Sequence, residues 1–144
     1  MIDRINVQVF IFTLSPVFEV LILKRVPERS GHWQPISGGI ENGETIIDAI
    51  KREVEEETGL GELIEIINLD YEFSFNTMWK GKNSKMKELC YAAEIQEKKP
   101  IILSHEHEKY IWCTANQAKE LLKWEHNLIA FDKLIALLRK KKQL

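Results

Sequence analysis

Apolar, β-prone runs alternate with turn formers over the first forty residues. Val7–Leu14 and Glu19–Arg25 are two such runs, split by Ser15-Pro16, and they predict two strands. Val26–Gly31, with Pro27 and Gly31, predicts a loop. Three glycines within Ile36–Gly43 predict a tight loop with exposed backbone. Glu44–Thr58 predicts a helix, closed by Gly59 as a left-handed cap. Leu63–Asn76, rich in Ile, Tyr and Phe, predicts one long strand or two, and Glu88–Ile95 predicts another. The polar stretch between them, Thr77–Lys87, reads as loose chain, as does the tail after Arg139. Lys109–Cys113 predicts a short strand, and Thr114 is placed to cap a helix reaching about Trp124. A last helix runs from about His126 to Lys141, where Leu128, Phe131, Leu134, Ile135 and Leu138 recur at the helical period.

Strands mixed with few helices predict an α+β fold, an α/β/α sandwich around a mixed sheet. A chain of 144 residues suits one domain, 1–144, large enough to bury a real core. With 44% hydrophobic and 29% charged residues, bulk disorder is excluded. No apolar run reaches the ~18 residues that cross a bilayer, so no membrane partner is expected. The N-terminus lacks the small-residue cleavage site of a secretory signal. Cys90 and Cys113 lie in apolar surroundings and read as buried free thiols. These features predict a cytoplasmic location.

Charge changes the picture once it is resolved along the chain. The net charge is −2, from 20 basic and 22 acidic residues, so no stable nucleic-acid partner is expected. Yet Glu41–Glu57 holds seven acids against two bases. On a helical wheel at ~100° per residue, Glu53, Glu56 and Glu57 share an arc of roughly 100°. Ile47, Ile50 and Val54 form an apolar stripe directly beside it. Like charges at these spacings weaken a helix by a few tenths of a kcal/mol per pair. The macrodipole also disfavours anions in its C-terminal half. A divalent cation would explain the arrangement, because clustered carboxylates suit Mg²⁺ or Mn²⁺. Gly38, Gly39 and Gly43 before the helix would let backbone N–H groups approach a phosphate.

Residues 38–60 read GGIENGETIIDAIKREVEEETGL. They resemble the signature of the Nudix hydrolases at Gly38, Glu44, Arg52, Glu53, Val54, Glu56, Glu57, Gly59 and Leu60. The resemblance implies a Nudix α/β/α sandwich and hydrolysis of a nucleoside diphosphate linked to another group. It implies Glu53, Glu56 and Glu57 as metal ligands, Arg52 as the residue orienting Glu53, and Glu44 as a structural acid near the helix start. Arg52 could also pair with Asp48 at i,i+4. Glu106, in Ser104-His105-Glu106-His107, is a candidate distal metal ligand or general base. A zinc site at the alternating His105 and His107 is a weaker alternative.

Two subgroups are similar. Trp33-Gln34-Pro35-Ile36-Ser37-Gly38-Gly39, Glu106-His107 and the Trp124–Asn127 stretch resemble the dATP and dihydroneopterin triphosphate pyrophosphohydrolases. That resemblance implies Arg25, Ser37, Gly38 and Asn127 near a nucleotide or related polyphosphate; Asn127 reads equally as a helix cap. Leu103–His107 with Tyr110 and Trp112 resembles the asymmetric diadenosine tetraphosphate hydrolases. Those usually carry Pro-Lys-Gly-His where this chain has Ile36-Ser37-Gly38-Gly39. Trp33, Phe75, Trp79, Tyr110 and Trp112 are candidates for stacking on a base. Lys80, Lys82, Lys85 and Lys87 are candidates for meeting its phosphates. A non-catalytic binding module and a homodimer are further alternatives.

Overall fold

The computed structural model describes residues 1–144. Its organising strand is β1 (Arg4–Thr13), buried throughout from Asn6 onward. Along its whole length β1 pairs in parallel with β6 (Lys82–Ile95). Its other edge is shared by two strands. Asn6–Val9 pairs with β4 (Ile36–Gly39), and Ile11–Thr13 pairs with β2 (Glu19–Arg25), both antiparallel. The sheet therefore splits on one side of β1. Beyond the split, β2 also pairs with β3 (Trp33–Gln34) and β7 (His107–Cys113), while β5 (Glu65–Trp79) forms the far edge on β6.

Side-chain alternation along β1 divides the core in two. Val7, Val9 and Ile11 join Ile50 and Val54 of α1 (Ile46–Thr58) on one face. Phe10 and Phe12 join Phe131, Leu134 and Leu138 of α3 (Glu125–Lys140) on the other, alongside α2 (Ala115–Leu121). Phe10 and Phe131 lie 5.4 Å apart between ring centres. Truncating a buried ring of this kind costs about 3–5 kcal/mol. Helices thus cover both faces of a mixed sheet, as the element pattern predicts.

Several boundaries differ from the sequence reading. Ile36–Gly39 is strand rather than loop, because β1 offers it a ladder and its glycines let it lie close. Thr77–Lys87 is not loose: β5 and β6 run on to pair Trp79 with Lys82. The turn is Lys80-Gly81, both at positive φ (50° and 77°), the geometry that matches hairpin twist. Its polar residues misled because this end of the hairpin projects into solvent. β5 is one strand with a register shift between Asn68 and Glu72, where Asp70 sits at φ 53°. Helix α1 starts at Ile46 rather than Glu44, since Thr45 is the cap and accepts from the Asp48 N–H. Ile47 is 42% exposed and leaves the predicted stripe, while Ala49 and Thr58 are buried with Ile50 and Val54. Helix α2 ends at Leu121, with Thr114 as its cap. Both cysteines are buried and unpaired. No helix is long and apolar enough to cross a membrane.

Candidate active site

The split beside β1 opens a cleft of about 800 Å³. Arg25, Ser37, Gly38, Glu53, Glu56, Glu57, Glu106 and Asn127, predicted from five separate stretches of sequence, all line it. Arg52 stands behind the cleft rather than in it.

Helix α1 delivers three of the acids. Glu53 and Glu57, one turn apart, are 7% and 3% exposed, whereas the Glu56 side chain is 55% exposed. Arg52 holds the group together. Its Nε donates to Glu44 Oε2 at 2.7 Å, and its Nη2 donates to Glu44 Oε1 and to the Gly39 carbonyl, at 2.9 and 2.8 Å. Its Nη1 donates to Glu53 Oε1 at 2.8 Å and lies 3.4 Å from Glu56. The fork therefore serves Glu44, Glu53 and Glu56, not Asp48. Hydrogen bonds from Arg52, then from the Glu41 N–H, hold the Glu44 carboxyl down at about 2. Burial pushes Glu53 the opposite way, above the usual carboxylate range.

Glu57 and Glu106 form a like-charged pair. Glu57 Oε2 accepts from Ser104 Oγ at 2.7 Å and faces His107 Nδ1 at 3.0 Å. Burial opposes its ionisation, but the hydrogen bonds from His107, Glu106 and Ser104 outweigh it and hold Glu57 below the ordinary carboxylate range. Burial and the adjacent Glu57 push Glu106 above that range. Two carboxyl groups this close pull their acidities apart, one below and one above the ordinary range. Arg29 reaches Glu106 Oε1 at 3.0 Å, and Arg25 is made easier to deprotonate chiefly by burial.

A divalent cation fits this donor set. All the donors are carboxylate oxygens, the ligands hard cations select. Gly38 provides a cradle: a Cβ there would overlap the Glu53 carboxyl group. No three acids or histidines close into a cage, since Glu53 leans on Arg52 and Glu106 on Arg29. A zinc site at His105 and His107 does not form. His105 is exposed, and His107 is buried against Glu57 and Gln34.

The cleft floor carries residues that the sequence reading missed. Arg4, Asn6 and Gln8 occupy the β1 face that becomes Phe10 and Phe12 beneath α3. On β6, the buried Glu88 accepts from Ser37 Oγ at 2.7 Å and Asn6 Nδ2 at 2.9 Å, and burial raises its pKa. Asn6 Oδ1 and Gln8 Oε1 are buried without a protein partner. The polar-to-apolar switch along Arg4–Phe12 was the available signal. Phe73, Phe75 and Trp79 of β5 form one wall, with Arg4 over the Trp79 ring at 5.1 Å. His126 stacks on Phe73 at 4.2 Å, and Trp124 stacks on His32 at 5.0 Å. Of the five aromatics proposed from sequence, only Phe75 and Trp79 line the cleft. Trp33 and Trp112 pack on the two cores, and Tyr110 lies outside the cleft. None of Lys80, Lys82, Lys85 and Lys87 lines it either; Lys87 pairs with Glu72 at 3.1 Å. Asn127 does not cap α3, whose N-cap is Trp124; it is buried in the first turn and faces the cleft.

The family profile described as NUDIX domain matches residues 4–133, most of the chain and all of the acids above. The chain belongs to the NUDIX domain family. Among curated relatives, this Nudix chain is 33% identical over 111 residues to an octanoyltransferase of Myxococcus xanthus, covering 77% of this chain and 30% of that protein. It is 30% identical over 97 residues to an asymmetrical bis(5'-nucleosyl)-tetraphosphatase of Rattus norvegicus, covering 65% and 63%. The chain thus spans less than two thirds of the length of the relatives it matches. A NUDIX hydrolase structure from Listeria monocytogenes superposes with TM-score 0.82 at 26% identity, covering 96% and 97% of the two chains. The dihydroneopterin triphosphate pyrophosphohydrolase of E. coli shares the fold, with TM-score 0.77 at 23% identity over 92% and 97%.

Proposed function

We propose that this Nudix chain is a Mg²⁺- or Mn²⁺-dependent pyrophosphohydrolase that cleaves a nucleoside triphosphate, of dATP or pterin type, into a monophosphate and pyrophosphate. One observation carries the reading. Glu53 and Glu57 are buried yet line the same cleft as Arg25, Arg29 and an aromatic wall. Buried like charges are costly, and a cation-bound polyphosphate offsets that cost.

Glu53, Glu56, Glu57 and Glu106 would hold the metal. When bound, it neutralises the polyphosphate and makes water a stronger nucleophile. Arg52 keeps Glu53 aimed at the cleft. Arg25 and Arg29 take phosphate oxygens, and the heterocycle lies against Phe73, Phe75 and the floor of Asn6, Gln8, Ser37 and Asn127. Water adds to phosphorus, the P–O–P bridge breaks, and the electron pair leaves with pyrophosphate. Glu106, brought to the cleft from a separate segment, accepts the proton of the attacking water.

A second reading is supported by two separate aromatic stations on the same cleft, Trp79 beside Arg4 and Trp124 against His32. Two flat bases joined by four phosphates would use both. Similarity to the rat tetraphosphatase agrees with it. Product analysis separates the readings. Pyrophosphate plus a monophosphate from dATP or a pterin triphosphate supports the first; ATP plus AMP from diadenosine tetraphosphate supports the second. If no phosphoanhydride turns over with Mg²⁺ or Mn²⁺, both fail. Glu53→Gln and Glu57→Gln should each cut turnover by orders of magnitude without loss of fold.

A further inference from the structure

Glu57 is held from behind by hydrogen bonds that reach back through β7 to β3. His107, 7% exposed, places Nδ1 3.0 Å from Glu57 Oε2. Its other ring nitrogen, Nε2, lies 3.3 Å from Gln34 Nε2. Gln34 Oε1 lies 3.2 Å from His32 Nε2. Donor and acceptor roles follow from both ends. A carboxylate only accepts, so His107 Nδ1 carries the proton and donates to Glu57. Gln34 turns its NH₂ group toward Nε2, and an amide NH₂ only donates, so Nε2 is the acceptor. Gln34 Oε1 only accepts, so His32 Nε2 donates. All three links point toward Glu57.

We infer that His107, its tautomer selected by Gln34, is a positioning residue that fixes the Glu57 carboxylate for a divalent cation. The Ser104 and His107 donors both fall on Oε2, so neither engages Oε1. A group behind a ligand that sets its orientation commonly changes metal affinity or activity by about 10–100-fold. The inference rests on reading Glu57 as a metal ligand. No motif announces it, because Gln34 and His107 are 73 positions apart.

The test is Mn²⁺ binding, measured by the loss of the free-ion electron paramagnetic resonance signal, with no substrate present. His107→Ala should weaken Mn²⁺ by about 10–100-fold. His107→Asn, whose Nδ2 can donate from the Nδ1 position, should restore most of that loss. Gln34→Leu should weaken Mn²⁺ by a smaller factor, through the lost tautomer selection. Unchanged affinity in His107→Ala overturns the inference. So does an Asn variant as weak as Ala, which would mean that the ring merely fills space. If His107→Ala fails to fold by circular dichroism, Gln34→Leu decides, and unchanged affinity there overturns it. Wild-type protein that binds no Mn²⁺ defeats the metal reading itself, a result distinct from these.

Discussion

Gly38→Ala tests the cradle with a single methyl group. Gly38 has no positive φ, so alanine can adopt its backbone conformation. The new Cβ would overlap all three terminal atoms of the Glu53 carboxyl group, well inside the 3.0 Å that real Cβ contacts keep. The backbone of β4 is held by its ladder to β1, so the carboxyl must retreat, by at least about 1 Å. A misplacement of that size in a catalytic constellation costs about 100-fold in rate. It also breaks the 2.8 Å contact with Arg52. Stability should hardly change, because the clash falls on the far end of a side chain. The assay is steady-state pyrophosphate release with Mg²⁺, alongside a thermal melt. kcat should fall by about 100-fold while Tm stays near the wild-type value. A fully active Gly38→Ala protein would refute the claim that Glu53 works from the position seen here.

Arg52→Lys should lower kcat by about 10–100-fold, since an ammonium cannot reproduce the fork that joins Glu44, Glu53 and the Gly39 carbonyl; steady-state kinetics with Mg²⁺ checks it. Glu88 has a folded-state pKa raised by burial, so its cost is absent below the unfolded value of about 4.3 and grows as pH rises toward the folded value. The metal-free wild type should therefore lose Tm relative to Glu88→Gln as pH increases above about 4.3, and parallel profiles would refute this. Saturating Mg²⁺ at 100 times its dissociation constant should add about 2.7 kcal/mol of stability, seen as a raised Tm that EDTA abolishes. Gly81→Ala, forced into φ 77°, should cost about 1–2 kcal/mol of stability, and a Tm unchanged from wild type would show that the hairpin turn differs from the one described.

The acids were legible because local spacing on one helix specifies them. Glu53, Glu56 and Glu57 needed only the 3.6-residue period, and Thr45 and Gly59 bound that helix with their own chemistry. What the local pattern hid was whatever depends on a partner distant in the chain. Ile36–Gly39 has the composition of a loop and becomes strand because β1 lies alongside. Ile47 has the right period yet stays exposed, while Ile46 packs inward. Trp33, Tyr110 and Trp112 are aromatic like Phe73 and Phe75, yet only the latter two line the cleft, because register assigns each strand residue its side.

The same distinction explains the acidic window. Its seven acids do not act as one patch. Asp48 and Glu55 lie on the solvent face of α1, where their charge is screened by water. Glu41, Glu44 and the exposed Glu56 lie around Arg52, at 3.7, 2.7 and 3.4 Å. That leaves Glu53 with a share of one guanidinium and Glu57 with hydrogen bonds from Ser104 and His107, beside Glu106 from a different segment. Negative charge is thus least compensated where the carboxylates are most buried and where Arg25 and Arg29 stand nearby. Such an arrangement is unfavourable for the protein alone and favourable for a cation that brings an anion with it, the charge pattern expected of a metal-assisted polyphosphate site.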